Sequence, residues 1–88
     1  MPHKLSLVGI LVDDRGEIAP KVQEVITHFG TDIIGRFGVP SPSKEKGLIT
    51  LIMESESADV RELASGLAKI EGVEVQTLEF ATDVASGK

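Results

Sequence analysis

Two stretches of this sequence, Leu5 to Val12 and Leu48 to Met53, are apolar at almost every position. Successive side chains of a strand point to opposite faces, so each stretch, read as a strand, carries oil on both. Such strands belong in the middle of a sheet. The chain has 88 residues, and at that length a fold buries only about 60 to 65 % of the surface its unfolded chain exposes. Whatever covers the second face of these strands is therefore in short supply within the chain itself.

The rest of the pattern supplies the other elements. After the break at Asp13, Asp14, Arg15 and Gly16, the residues Ile18, Val22, Val25, Ile26 and Phe29 recur at the spacing of one helical face. Pro20 has no N–H and is tolerated only in a first turn, so this helix starts near Gly16 or Glu17, and Gly30 after its end suits a left-handed cap. Asp32 to Val39 reads as a second strand, with Ile33, Gly35, Phe37 and Val39 on one face and Ile34, Arg36 and Gly38 on the other. Its two glycines hint at a bulge or a close backbone contact. Pro40 to Gly47 is a turn-forming stretch and reads as a hairpin loop. A second helix follows the third strand, striped by Val60, Leu63, Ala64, Leu67 and Ile70 and closed by Gly72. Val73 to Phe80 alternates as a fourth, edge strand.

Strand, helix, strand, strand, helix, strand is the split βαβ pattern. Right-handed crossovers then place both helices on one face of a four-stranded antiparallel sheet, with strands one and three in the middle. The expected architecture is an α+β, ferredoxin-like βαββαβ domain over residues 1–80, with a disordered tail at 81–88. Because two helices cover only one face, the other is expected to pack against a second subunit. The residues expected at that contact are Leu7, Val8, Ile10, Ile49, Leu51 and Phe37, in a homo-oligomer that is a dimer or a tetramer. The competing reading is a partly exposed face on which strand-favouring residues need no partner.

Composition narrows the function classes. There is no cysteine, so disulfides, thiolate metal sites and cysteine nucleophiles are excluded, which fits a reducing cytoplasm. The net charge is −5, with nine Lys and Arg scattered among fourteen Asp and Glu, so no phosphate-binding stripe is expected and direct nucleic-acid binding is disfavoured. The three phenylalanines are too few for a stacking platform. No apolar run is long enough to cross a bilayer and the opening residues do not read as a signal peptide, so a cytoplasmic protein is expected.

The candidate ligand-binding residues are Asp13, Asp14, Arg15, Gly16 and Glu17, which join the first strand to the first helix, together with Arg36 and Gly38. Helix N-terminal amides can hold an anion, and a glycine allows close approach. From composition alone, an ordinary solvated turn with an acidic residue offsetting the helix dipole is the favoured reading of the loop. Arg36 lies between glycines with room to offer its planar fork to a carboxylate or a partner subunit, or it is an edge charge that discourages aggregation. His3 and His28 are the only imidazoles and lack a third ligand, so no metal and no cofactor is expected. Nothing sets a nucleophile beside the acidic residues, and no catalytic residue is named.

Four segments carry a resemblance. Val8-Gly9-Ile10-Leu11-Val12-Asp13-Asp14-Arg15, Ile33-Ile34-Gly35-Arg36-Phe37-Gly38-Val39-Pro40, Gly47-Leu48-Ile49-Thr50-Leu51-Ile52 and Leu67-Ala68-Lys69-Ile70-Glu71-Gly72-Val73-Glu74-Val75 look like the iron-only hydrogenase system regulators. The likeness spans residues 5 to 80. That family is similar in fold to the ACT domain and to the C-terminal domain of the nickel-responsive repressor. The resemblance implies a regulatory role, oligomer formation and a small ligand at subunit interfaces. Asp14-Arg15-Gly16-Glu17-Ile18-Ala19 is loosely like an ACT ligand loop, without the proline that usually precedes the glycine. The repressor's histidines and cysteine are missing, so nickel sensing does not carry over, and any effect on transcription is expected to pass through a partner. The leading expectation is an oligomeric, ACT-like ligand-sensing regulator without enzymatic activity. The alternatives are a protein-interaction module for hydrogenase assembly without a small ligand and, third, an acyl-phosphate hydrolase, which would need an Asn that this sequence does not contain.

Overall fold

The structure is a computed structural model that describes residues 3–13, 18–40 and 46–84. Its centre is the antiparallel pair of β1 (His3–Asp13) and β3 (Lys46–Ser55), in register from Lys4 opposite Ser55 to Asp13 opposite Lys46. β2 (Ile33–Pro40) adds to the outer side of β3 and β4 (Val73–Val84) to the outer side of β1, giving the order β2-β3-β1-β4. The two apolar stretches are thus the middle strands. With α1 (Ile18–His28) and α2 (Ser57–Ala68) the chain forms a ferredoxin-like α+β sandwich.

The core lies between the helices and one sheet face. Val22 and Ile26 of α1 and Val60, Leu63 and Leu67 of α2 are buried against Val8, Ile10 and Val12 of β1 and Leu51 and Met53 of β3. Ile18, Val25, Phe29, Ile33, Ile49, Ile70, Val73 and Val75 pack around them. The even-numbered residues of β1 therefore face the helices, and Leu5, Leu7, Gly9 and Leu11 face the other way.

This phase corrects the expected subunit contact. Val8, Ile10 and Leu51 have no exposed surface and Ile49 packs against the same core, so four of the six residues named for that contact are core. Leu7 and Phe37 remain on the outer face. The strands are apolar on both faces, so alternation alone cannot say which half the helices take, and packing decides it.

Three further differences are local. The shift in register between Ile33 and Gly35 puts a bulge at Ile34, so Ile33 faces the core opposite Met53 whereas Gly35 and Phe37 lie opposite Ile52 and Thr50. The expected single face of Ile33, Gly35 and Phe37 is split by it, in keeping with the bulge that the glycines hint at. After α1 the chain does not turn through a left-handed glycine. Phe29 N–H donates to Ile26 C=O and Asp32 N–H to Phe29 C=O, and a 3₁₀ turn over Gly30–Asp32 leads into β2. Pro40 belongs to β2, and Lys46 and Gly47 to β3, so the expected loop is shorter at both ends.

The expected tail also starts too early. β4 continues to Val84, with His3 opposite Val84 and Lys4 opposite Asp83 after an irregularity beyond the Ser6–Glu79 pair. Lys4 Nζ donates to Ala81 C=O (2.8 Å) and to Asp83 Oδ1 (2.6 Å). A charge on β1 thus holds the end of this edge strand, a tie that spacing within residues 81–84 does not reveal.

Gly72 closes α2 as expected. Its φ is 90°, a conformation costly for any residue with a Cβ. Its C=O accepts from Asp13 N–H (2.9 Å), so the turn after α2 is bound to the end of β1. A Cβ there would come within 2.7 Å of Ile18 Cδ1. Gly72→Ala is therefore expected to lower the unfolding free energy by about 2 kcal/mol, from the left-handed backbone and the displaced Ile18 together; urea denaturation checks this, and an unchanged midpoint refutes it.

Candidate functional site

The face of the sheet away from the helices is the largest feature left over after the core is built. Across it run rows fixed by the strand register. Phe37, Thr50, Gly9 and Gln76 make one row, and Gly35, Ile52, Leu7 and Leu78 the next. Leu48, Leu11 and Glu74 lie beyond the first. Leu11, Leu48, Ile52, Leu78 and Phe37 are all exposed, from 36 % at Leu11 to 68 % at Phe37. A contiguous apolar face of this kind is unusual on a protein that meets only water. Sequence reasoning misses Leu11, Leu48, Ile52 and Leu78 as members of this face. The signal is present in the two-faced strands, but reading it needs the phase.

The expected ligand residues divide differently. Asp14, Arg15, Gly16 and Glu17 lie outside the described residues. Asp13 ends β1 and is paired with Lys46 at the start of β3. Arg36 and Gly38 lie opposite Leu51 and Ile49 on β2. They share the helix side of the sheet, at its edge. Close by, a cleft of about 120 Å³ is lined by Val12, Ala19, Val22, Gln23, Gly47 and Ile49. With no side chain at Gly38, whose place for a Cβ is 3.8 Å from Ile49 Cγ1, the edge beside this cleft stays open. The link between these residues and the cleft is thus Ile49, which lines it and lies opposite Gly38, whereas Asp13 ends β1, two strands away from Arg36 and Gly38. Small-molecule sites run to about 300–1,000 Å³, so this cleft by itself holds only part of a ligand.

A second concavity, of about 1000 Å³, runs between the helices on their outer side. Val25, Phe29 and Gly66 form its apolar part, and Glu24, His28, Arg61, Glu62 and Lys69 its charged part. The His28 and Phe29 rings lie 6.4 Å apart. His28 thus sits in a wide groove, and among the described residues no group of three or more His, Cys, Asp or Glu is placed to hold a metal ion. This groove has no sequence signature, because it is made by two helices whose spacing a one-dimensional pattern does not specify.

The opposite end of the sheet carries a polar cluster. Ser57 Oγ, in the first turn of α2, donates to Glu79 Oε2 (2.5 Å), a carboxylate placed where the helix dipole favours it. Ser6 lies opposite Glu79 and is 1 % exposed, and its Oγ has no hydrogen-bond partner among the described residues. No helix among the described residues is long and apolar enough to cross a membrane.

Comparison with known proteins gives a family and a fold. The model of the TM1266-like family, described as "Iron-only hydrogenase system regulator, putative", matches residues 4–77. The structure of the uncharacterized protein TM1266 from Thermotoga maritima is 27 % identical, covers 89 % of this chain and 98 % of its own, and superposes with a TM-score of 0.85. The ACT domain of GTP pyrophosphokinase from Chlorobium tepidum is 22 % identical over 86 % of this chain and 99 % of its own, with a TM-score of 0.72. The C-terminal domain of the MgtC protein from Mycobacterium tuberculosis is 14 % identical over 97 % of this chain and 96 % of its own, with a TM-score of 0.71. The last two share the fold. No curated protein matches the sequence.

Two measurements test the polar end of the sheet. Removing a buried hydroxyl that lacks a partner removes its desolvation cost, so Ser6→Ala is expected to leave the melting temperature unchanged or to raise it by up to a few degrees; a marked fall would mean that the hydroxyl is bonded. Lys4→Ala is expected to speed amide exchange at residues 81–84 while leaving the amides of β3 protected, and uniform exchange across the sheet would contradict the role given to this lysine.

Proposed function

We propose that this chain, which belongs to the TM1266-like family of iron-only hydrogenase system regulators, is a non-catalytic regulatory module of the cytoplasm that works as a homo-oligomer. Two copies pair through their open sheet faces, and a small ligand is sensed at the edge formed by Arg36, Gly38 and the start of α1. The observation that carries the reading is the outer face itself, where Leu11, Leu48, Ile52, Leu78 and Phe37 stand exposed on one side of the sheet. Burying such a face contributes about 25 cal/mol for each Å² of apolar surface removed from water. The molecule is 40 Å long and four strands about 4.8 Å apart make a sheet on the order of 15 to 20 Å wide, so the face approaches the roughly 800 Å² per partner of a standard interface.

Regulation then follows by linkage. A ligand that binds the paired form better than the single chain shifts the population toward pairs, and only by its difference in affinity for the two. The edge cleft supplies part of such a site, with Arg36 as a fork for a carboxylate or phosphate. A second reading, a protein-interaction module for assembly of the hydrogenase system without a small ligand, is favoured by the small volume of that cleft.

Sedimentation at micromolar concentration is expected to show an oligomer. Ile52→Asp, which puts a charge on the apolar face without entering the core, is expected to weaken association at least about tenfold while the circular dichroism spectrum is kept. A wild-type protein that sediments as a single chain would sink the proposal. In a thermal-shift screen of amino acids and nucleotides, a ligand at about 100 times its Kd is expected to add about 2.7 kcal/mol, or a rise on the order of 10 °C. Arg36→Ala should abolish that rise, and a screen without any shift, combined with capture of a hydrogenase-system protein, favours the second reading.

A further inference from the structure

We infer that the pairing of sheet faces is keyed by one aromatic side chain, Phe37 of each copy entering a hollow over Gly9 of the other. This rests on the face-to-face pairing proposed above and specifies its register. Phe37 is the most exposed large hydrophobic residue among those described, at 68 %. It lies opposite Thr50, which lies opposite Gly9, so knob and hollow share a row on the same face, two strands apart. That separation is about 9.5 Å.

The hollow is a consequence of the sequence at the middle of β1. Leu7 and Leu11 stand on either side of Gly9 along the strand, and Ile52 and Leu48 stand opposite them on β3. At Gly9 itself nothing rises from the backbone. A Cβ built there would meet only the C=O oxygen of Gln76, at 3.8 Å, so the space above is open. The result is a gap in a leucine-rich surface, floored by backbone.

A second copy of this chain fits that gap for a geometric reason. Consider a twofold axis that runs along β3, midway between two facing sheets. It carries β2 of one copy over β1 of the other without moving along the strands. Phe37 of each copy then stands over Gly9 of its partner, and Leu7 over Gly35, a shallower hollow into which Ile52 leans. Ile52 meets its own symmetry mate on the axis. In these two rows large residues face small ones off the axis, which lets side chains interdigitate across the roughly 10 Å between packed sheets. The contact is isologous, each copy giving one knob and one hollow, and so it closes as a pair.

The test is sedimentation equilibrium on the full chain and on Gly9→Leu, Phe37→Ala and the double variant, each checked for fold by circular dichroism. Wild type is expected to associate. Gly9→Leu fills the hollow and Phe37→Ala empties it, so each should raise the dissociation constant at least about tenfold. In the double variant the introduced leucine side chain occupies the space left by the partner's shortened one, and association should return to within about threefold of wild type. Gly9→Val serves in place of Gly9→Leu should the leucine disturb the protomer. If wild type associates but the Gly9 variant associates equally well, the keyed register is wrong while the sheet-face reading stands; if wild type does not associate, that reading fails and this inference with it.

Discussion

The pairing of β1 with β3 is the interaction on which the rest of the structure depends. Each strand is apolar on both faces, so the pair has two faces to bury. One side is supplied by α1 and α2, whose stripes of Val22 and Ile26 and of Val60, Leu63 and Leu67 close over Val8, Ile10, Leu51 and Met53. The other side has no cover within the described residues, and it carries Leu7, Leu11, Leu48 and Ile52 in the same register. The helices satisfy half of a two-sided demand, and the remaining half is what gives the molecule a surface to work with.

The edges show how that surface is bounded. At one edge the bulge at Ile34 turns Gly35 and Phe37 onto the outer face and leaves Ile33 in the core. At the other, the irregularity after Glu79 interrupts β4 before Lys4 takes hold of Ala81 and Asp83. Bulges at sheet edges end regular pairing and re-aim side chains. Between the edges, the turn at Gly72 is bonded to Asp13, so the end of β1 that leads toward α1 is tied to the connection between α2 and β4.

Much of the architecture is legible in the residues. Pro20 and the spacing of Ile18, Val22 and Ile26 mark α1, Gly72 marks the end of α2, and the runs from Leu5 and Leu48 mark the central strands. These features are local: each follows from backbone sterics or from a period of 2 or 3.6 within a few residues. The same rules fail where the signal is ambiguous by construction. Val8 and Leu7 are equally apolar, so nothing within β1 says which of them faces the helices, and the expected contact puts Val8, Ile10, Leu51 and Ile49 on the wrong side.

What the sequence determined by itself is thus the order of elements and the surplus of apolar surface, because hydrophobic amount and period are properties of the chain. What only the tertiary structure decided is the phase of the central strands, the split at Ile34, the reach of β4 to Val84 and the groove between the helices. Each of these depends on residues far apart in sequence meeting in one register, as Lys4 meets Asp83 and Gly9 comes to share a row with Phe37. A period repeats within one strand or helix, but a register is a relation between two of them, and it exists only once they are packed.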